Sequence, residues 1–343
     1  MRVLMTAGRY ILGGASTVIE NLADQLGKKG VDVTIAAFSY GRIPPNGAYE
    51  VRTLPVHNIS KIKIFFNGFD IVHNHHPLTN YLALISRKPF VFHYHGAPDY
   101  GKGNLFRFNM LLSIKIMKHA FDAVISVSES GARELKRYFG LNDIEIIYNG
   151  VNTDRFKPSL DERFRKGMPQ FLFVGNLYEH KKVEELIFAL KKVVKRYTKS
   201  HLQIVGSGYT YPRLKDLVNK LDLKDHVTLV GHISESDLPY YYTSSDVYVT
   251  ASRWELYGLP LLEAMACGKP IVASSIAPHV ELLTISKAGV TYNIGDLEDL
   301  SKKLMKTFEE RGIYKKNALL FANEHDWSVV AEQVIRIYTL IGS

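Results

Sequence analysis

The sequence predicts two consecutive α/β domains, each built around an open parallel sheet. Three observations lead to this fold class. The chain has 343 residues, which is more than one hydrophobic core usually supports. Short β-branched and aromatic runs alternate with segments of helical periodicity along its length. The alternation breaks once, at the polar stretch 152–167 that contains Pro158, so we expect domains over residues 1–158 and 159–326.

The first domain is predicted to hold six strands. They lie near Val3–Ala7, Asp32–Phe38, Asp70–His73, Phe90–His93, Ala123–Val127 and Glu145–Tyr148. A helix is predicted over Ala15–Gly27, because Val18, Leu22 and Leu26 recur on one helical face.

The second domain repeats the pattern with five predicted strands and three helices. The strands lie near Phe171–Gly175, Leu202–Val205, Val227–Val230, Val247–Thr250 and Pro270–Ala273. The helices lie near Val183–Tyr197, Leu214–Lys220 and Pro260–Cys267, and a final amphipathic helix runs from Trp327 to Ile341.

Glycines and polar side chains follow the predicted strands of both domains. Open parallel sheets bind ligands outside the carboxyl ends of their strands. In the first domain these ends carry Gly8 with Gly13-Gly14, then the segments His73–His76 and His93–Gly96; in the second they carry Gly175-Asn176, Gly206–Gly208, Gly231 and Thr250–Ser252. We therefore expect one two-sided site where the edges face each other across a cleft.

Composition excludes several classes of protein. Hydrophobic residues make up 46% and charged residues 22% of the chain, as in globular proteins. The single cysteine, Cys267, excludes an internal disulfide framework and suits a reducing compartment. Residues 1–8 predict a strand rather than an apolar leader, and Leu105–Met117 is too short and too polar to span a membrane. We expect a cytoplasmic protein.

The richest constellation of site residues is Ser252–Gly268. Pro260 suits the first turn of a helix that Gly268 ends. The backbone amides around Gly258, Leu259 and Leu261 would form a helix terminus able to hold a phosphate. Glu255 and Glu263 flank that point, and a carboxylate accepts two hydroxyl hydrogen bonds, as a sugar or ribose diol requires. The alternative is two solvated glutamates on an ordinary buried helix.

In this frame the sequence resembles the GT4-type retaining glycosyltransferases of the GT-B fold. The resemblance covers nearly the whole chain and includes the glutamate pair with seven residues between its members. Its other matches are Gly13-Gly14, Tyr148–Val151 with Phe156 and Pro158, Val174-Gly175 with Lys181, Val205–Gly208, Val230-Gly231 leading to Ser245–Val247, and the Trp327 helix. It implies two Rossmann-like domains, the second binding a nucleotide-sugar donor, with the helix 327–343 returning to the first.

The resemblance also implies roles for individual residues. Glu263 would hold the ribose, and Glu255 would act catalytically on hydroxyls of the transferred sugar. His95 would stand beside that sugar as a second catalytic residue. The diphosphate would lie between Gly14 and the amides of residues 258–261, near Lys181. Further donor-binding candidates are Asn176, Gly206 and Gly231, and acceptor-side candidates are Gly13 and His75.

Two positions depart from the family pattern. Asn176 stands where an arginine usually grips the diphosphate, so neutralisation would rest on Lys181, with Lys182 or Arg253 as further candidates. Leu256 replaces the small residue that often follows the first glutamate. Neither departure removes the predicted site.

The predicted reaction is retaining transfer of a sugar from a UDP-, GDP- or ADP-linked donor to an unidentified acceptor: a glycan, a lipid or a small molecule. We expect no cofactor and no essential metal, because the sequence contains no Asp-x-Asp motif. The first-domain histidines could be read as metal ligands, but no cysteine or clustered carboxylate completes a site. We therefore predict no metal site.

The charge distribution suggests an anionic partner. Residues 1–160 hold 19 Lys and Arg against 12 Asp and Glu, whereas residues 161–343 hold 24 against 22, and the net charge is +9. The segment Lys102–His119 alternates basic and apolar residues. It is either an interfacial helix at an anionic inner membrane face or a packed helix with snorkelling lysines.

Two other function classes stay open. The basic first half would suit a nucleic-acid-binding protein, but no stacking platform or recognition-helix motif is evident. Asn176 would suit a sugar-nucleotide sensor with weak or no catalysis. Gly206–Gly208 does not make a dinucleotide fingerprint, because Tyr211 stands where the third glycine belongs.

Overall fold

The computed structural model describes residues 1–10, 13–41, 44–55, 59–96, 104–255 and 257–342. The chain forms two compact units, Met1–Gly150 with His325–Ser343 and Val151–Glu324. The division falls at Gly150, earlier than the expected boundary at residue 158. The polar stretch after it is bonded into the second unit, where the Phe164 carbonyl accepts from Gln203 Nε2 at 2.8 Å and the Asp161 carbonyl from Thr243 Oγ1 at 2.9 Å.

The first unit is built on a seven-stranded parallel sheet. Its strands are β1 Arg2–Tyr10, β2 Asp32–Tyr40, β3 Glu50–Thr53, β4 Ile71–Asn74, β5 Phe90–Tyr94, β6 Ala123–Ser126 and β7 Glu145–Ile146. They are ordered β3-β2-β1-β4-β5-β6-β7. β3 was not predicted, because all four of its residues are exposed at the sheet edge and form no apolar run.

Six helices of the described chain surround this sheet. Numbered in chain order over both units, they are α1 Gly14–Lys28, α2 Ile59–Asn67, α3 Ala83–Ser86, α4 Asn104–Met117, α5 Glu129–Phe139 and α13 Trp327–Gly342. The closing helix α13 packs on α1, and Lys29 Nζ lies 2.7 Å from Glu332 Oε1. A side chain at Gly150 would lie 2.7 Å from the Trp327 ring. The last helix thus belongs to the first unit.

The second unit holds a six-stranded parallel sheet in the order β10-β9-β8-β11-β12-β13. The strands are β8 Gln170–Val174, β9 His201–Val205, β10 Val227–Gly231, β11 Val247–Thr250, β12 Ile271–Ser274 and β13 Gly289–Tyr292. The helices are α6 Val183–Val194, α7 Tyr211–Lys220, α8 Leu238–Thr243, α9 Leu259–Ala266, α10 Ala277–Ser286, α11 Leu297–Glu309 and α12 Arg311–Glu324. The buried faces of α6 and α11 join the strands in one core.

The predicted segment Lys102–His119 lies partly outside the described residues. α4 is described from Asn104, so Lys102 lies outside. The later turns of α4 bury Ile114 and Met117, whereas Lys115 and Ile116 are exposed. Among the described helices, none is both long and apolar enough to cross a membrane.

Candidate functional site

Three glycines link the ends of neighbouring strands in the second unit. Gly206 N–H donates to the Gly231 carbonyl at 2.8 Å, and Gly175 N–H donates to the Val205 carbonyl at 3.0 Å. Gly206 has φ +135, and a Cβ there would lie 1.9 Å from the Gly175 carbonyl oxygen. Only glycine permits this approach. The backbone is therefore drawn tightly together at the carboxyl edge of β8, β9 and β10.

The loop before α9 also depends on a glycine. Gly258 is the residue that precedes the helix and has φ +90, in the left-handed region that favours glycine. The first turn of a helix leaves amides without intrahelical partners and carries positive partial charge. The Leu261 amide, which we had expected to face a phosphate, instead donates to the Gly258 carbonyl at 2.9 Å. The expectation for Leu261 is therefore corrected, which leaves Gly258 and Leu259 as the candidate amides.

Glu255 is held beside this loop by two side chains. Its carboxylate forms an ion pair with Lys181 and accepts from Ser252 Oγ at 2.8 Å. Burial raises the pKa of Glu255, but the charge of Lys181, the nearby His279 ring and these hydrogen bonds outweigh it, so the pKa lies below its usual value. Glu255 is thus an ionised, fixed carboxylate. Lys181 comes from the short 3₁₀ turn Glu179–Lys181 after β8.

Glu263, on α9, lies in a different electrostatic environment. Its Oε2 accepts from the hydroxyl of Tyr242 on α8 at 2.6 Å. Burial raises the pKa of Glu263 to about 7, even though the Tyr242 hydrogen bond and Arg155 act to lower it. The same burial, together with the Glu263 charge, raises the pKa of Tyr242 well above its usual value, so the hydroxyl stays a donor. Near neutral pH, Glu263 therefore exchanges between an acid and an acceptor-only carboxylate.

The other two predicted cations, Lys182 and Arg253, already have carboxylate partners. Arg253 forms an ion pair with Glu185. Lys182 Nζ lies 3.7 Å from Glu184 Oε1. Asn176, the departure from the family pattern, is exposed after β8. Of the three predicted cations, Lys181 is therefore the one that forms an ion pair with a predicted site carboxylate, Glu255. Leu256, the second departure, lies outside the described residues.

In the first unit, stacked histidines lie at the carboxyl ends of β4 and β5. His73 Nδ1 lies 2.5 Å from the Tyr338 hydroxyl, and His73 Nε2 lies 3.1 Å from His93 Nδ1. His75 Nδ1 lies 2.9 Å from His95 Nε2. Burial lowers the pKa of His95 to about 4, with His76 adding to the shift. His95 is thus a neutral ring whose orientation is fixed by His75.

One nitrogen from each of His73, His75 and His93 lies within 4.8 Å of the others. Tetrahedral zinc would need separations of about 3.3 Å, and the shortest of these contacts is consistent with a hydrogen bond between rings. The absence of a metal requirement stays a prediction.

The predicted glycine pair opens α1. Gly13 precedes the helix, and its carbonyl accepts from Thr17 N–H at 3.1 Å. Gly14 is the first helical residue and is exposed. Both belong to the first unit with His75 and His95, whereas the remaining predicted site residues belong to the second.

Sequence reasoning missed two buried side chains of the second unit. Tyr242 bonds Glu263 directly, and the His279 ring contributes to the low pKa of Glu255. Tyr242 sits in a run of three tyrosines, 240–242, a pattern that gave no indication of a partner for a carboxylate. His279 follows Pro278 at the start of α10 and carried no motif.

Two family models together match residues 12–324. The model described as Glycosyltransferase Family 4 matches residues 12–155, and the one described as Glycosyl transferases group 1 matches residues 155–324. A protein of Methanocaldococcus jannaschii described as an uncharacterized glycosyltransferase is 26% identical, with 99% of this chain and 98% of the relative covered. A phosphatidyl-myo-inositol mannosyltransferase of Propionibacterium freudenreichii is 27% identical, with 96% and 92% covered.

Solved structures agree on the fold. Anabaena HepE, in complex with UDP and glucose, superposes with a TM-score of 0.82 at 20% identity, covering 99% of both chains. WaaG, a glycosyltransferase involved in lipopolysaccharide biosynthesis, gives a TM-score of 0.75 at 17% identity, covering 98% of this chain and 99% of that one. The chain belongs to the GT4, or group 1, glycosyltransferase family and has its GT-B fold of two Rossmann-like domains.

Proposed function

We propose that this glycosyltransferase moves a sugar from a nucleoside-diphosphate donor with retention at the anomeric carbon and without a metal. The arrangement of Glu255 and Glu263 around the start of α9 carries this proposal. One carboxylate is ionised and held by Lys181, and the other bonds Tyr242. The donor would place its diphosphate at Gly258 and Leu259, its ribose at Glu263 and its sugar at Glu255.

Metal independence is supported by the charges available at this point. As the bond from the sugar to the diphosphate breaks, negative charge grows on the leaving group. A helix N-terminus and Lys181 would stabilise that charge, the role that a divalent cation otherwise fills. For Lys181 to reach the diphosphate, it must exchange part of its contact with Glu255 for a phosphate oxygen.

Retention is proposed to come from same-face attack. The acceptor oxygen would bond the anomeric carbon on the face that the diphosphate leaves, and its proton would pass to a diphosphate oxygen. Glu255 is a poor nucleophile for the alternative, a covalent intermediate, because Lys181 and Ser252 engage its carboxylate and lower its pKa. His95 is proposed as a second catalytic residue beside the sugar, His75 and Gly13 as acceptor-side residues, and Gly14 as a donor-binding residue beside the diphosphate.

The acceptor is proposed to be a hydroxyl on a glycan, lipid or small molecule. The relatives include a phosphatidyl-myo-inositol mannosyltransferase, a glycogen synthase and a mannosylfructose-phosphate synthase, so the family accommodates all three. A lipid acceptor would be met at an anionic membrane, where Lys115 and Ile116 on the exposed side of α4 would contact the surface. We propose a cytoplasmic protein that associates with membranes from outside the bilayer.

Release of nucleoside diphosphate tests the proposal. The full chain would be incubated with UDP-glucose, UDP-galactose, GDP-mannose or ADP-glucose, each with phosphatidyl-myo-inositol vesicles, glycogen or fructose 6-phosphate, with and without EDTA. We expect one donor to be consumed at a rate that EDTA leaves unchanged, and the product to keep the donor's anomeric configuration by NMR. Glu255→Gln should nearly abolish consumption, while the exposed control Glu324→Gln should not. Binding without turnover would favour the sensor alternative, and an inverted product would exclude retention.

A further inference from the structure

His279 is a buried side chain with one nitrogen unused. It lies in the first turn of α10, and none of its surface is exposed. Its Nδ1 lies 3.0 Å from the Ser274 carbonyl oxygen. Its Nε2 has no hydrogen-bond partner among the described residues. Buried polar atoms are rarely left in this state, because an unmade hydrogen bond costs free energy.

The surroundings of Nδ1 fix which nitrogen carries the proton. The Ser274 carbonyl only accepts, so Nδ1 must donate to it. The Ser274 hydroxyl, 3.3 Å from Nδ1, donates its own proton to the Ser252 carbonyl and therefore cannot donate to the ring. Burial lowers the pKa of His279 to about 4, so the ring is neutral near pH 7. Nε2 therefore carries no proton and can only accept a hydrogen bond.

His279 Nε2 faces the loop that precedes α9. A Cβ on Gly258 would lie 3.9 Å from His279 Nε2. The charges of Glu255 and Lys181 both act on the ring. Glu255 is an ionised carboxylate and an acceptor itself, so it cannot satisfy Nε2. Nε2 therefore still requires a hydrogen-bond donor on the side of this loop.

The chemistry of a nucleotide sugar leaves one class of group for this position. The ionised diphosphate oxygens carry no proton, so they could not donate a hydrogen bond to His279 Nε2. The ribose hydroxyls are assigned to Glu263. We propose that His279 Nε2 accepts a hydrogen bond from a hydroxyl of the transferred sugar, which makes His279 a specificity-determining residue of the donor site. This inference rests on the proposed function and names a contact that selects the sugar.

Two substitutions test the roles of the two ring nitrogens of His279 separately. Asparagine can keep a donor to the Ser274 carbonyl but has no atom at Nε2, whereas glutamine can place an amide oxygen close to Nε2. Each variant would be assayed for kcat/KM with the donor that the wild type consumes fastest, and with its analogues lacking one sugar hydroxyl each. The control is His201→Phe. His201 is also buried in this unit, but both of its nitrogens have partners, Asp225 O and Thr228 Oγ1.

We expect His279→Asn to lower kcat/KM for the complete donor by about tenfold. For the analogue that lacks the bonded hydroxyl, wild type and His279→Asn should have similar kcat/KM values, because the wild type cannot make the contact with that analogue either. His279→Gln should recover part of the difference, and His201→Phe should lower stability without changing the pattern across analogues. An equal loss of kcat/KM for every analogue would overturn the inference while leaving the proposed function intact. It would indicate that a group of the protein itself donates a hydrogen bond to Nε2. A wild type that consumes no donor would overturn both.

Discussion

The Tyr242–Glu263 hydrogen bond gives a prediction about the pH at which the donor binds. Tyr242→Phe removes a single hydroxyl from a fully buried ring that donates to Glu263 Oε2 at 2.6 Å. That bond lowers the pKa of Glu263, which burial has raised to about 7. Without the bond, the pKa rises further. Since the carboxylate form accepts both hydroxyls of a ribose diol, donor binding should weaken as the pH falls through this pKa.

The size of the effect follows from the strength of the bond. Hydrogen bonds to a charged group contribute about 1.5–3 kcal/mol, and one pKa unit corresponds to about 1.4 kcal/mol. Allowing for water that replaces the hydroxyl, we expect the pKa of Glu263 to rise by about one unit. The ionised fraction at pH 7 then falls from about one half to about one tenth, so affinity for the donor should fall about fivefold. Well above pH 8 the two proteins should bind almost equally.

Isothermal titration of UDP between pH 5.5 and 9.5 measures this difference. The wild-type affinity should have its midpoint near 7, and the Tyr242→Phe midpoint should lie higher. Tyr241→Phe is the matched control, because Tyr241 stacks on Phe164 with ring centroids 4.0 Å apart and is not the partner of Glu263. A Tyr242→Phe midpoint identical to that of the wild type, or one that moves to lower pH, would show that the Tyr242 hydroxyl does not lower the pKa of Glu263.

Three further substitutions test other parts of the molecule. Lys181→Met removes the cation paired with Glu255 and should slow nucleoside diphosphate release at least about tenfold, whereas normal release would contradict its role. Gly206→Ala forces a Cβ to 1.9 Å from a backbone oxygen and should lower Tm by about 5 °C or more. The control Gly312→Ala, where nothing lies within 4 Å of the added Cβ, should leave Tm unchanged. Equal Tm values for the two variants would argue against the tight turn at Gly206. Tyr338→Phe removes the hydroxyl 2.5 Å from His73 and should lower Tm by about 2–4 °C, as measured by calorimetry; an unchanged Tm would mean that this hydroxyl adds no stability.

The strands were the most predictable part of the fold. Apolar runs marked β1, β8 and β11 to within a few residues, because buried parallel strands must be apolar on both faces. The exposed edge strand β3 could not be found this way. β13 was also missed, because three of its four residues are only partly buried and its sequence is not a continuous apolar run.

The positions of the two candidate carboxylates could be read from the sequence, but the contacts that set their pKa values could not. Glu255 and Glu263 stand in a frame of glycine and proline that specifies a helix start, so local sequence locates both. The opposite pKa shifts of the two carboxylates come from Lys181, Tyr242 and burial. Those contacts join residues far apart in sequence, and spacing along the chain carries no information about them. The occupied Leu261 amide likewise reflects the tightness of one turn rather than any motif.

The proposed function places the donor diphosphate at the start of α9, between two carboxylates with different tasks. A crystal structure of the Glu255→Gln variant with UDP-glucose, or with the donor that the screen identifies, tests it directly. We predict the ribose hydroxyls within hydrogen-bond distance of Glu263, the diphosphate against the amides of Gly258 and Leu259, and the sugar beside residue 255. A ligand bound elsewhere, or a ribose that does not touch Glu263, would contradict the account.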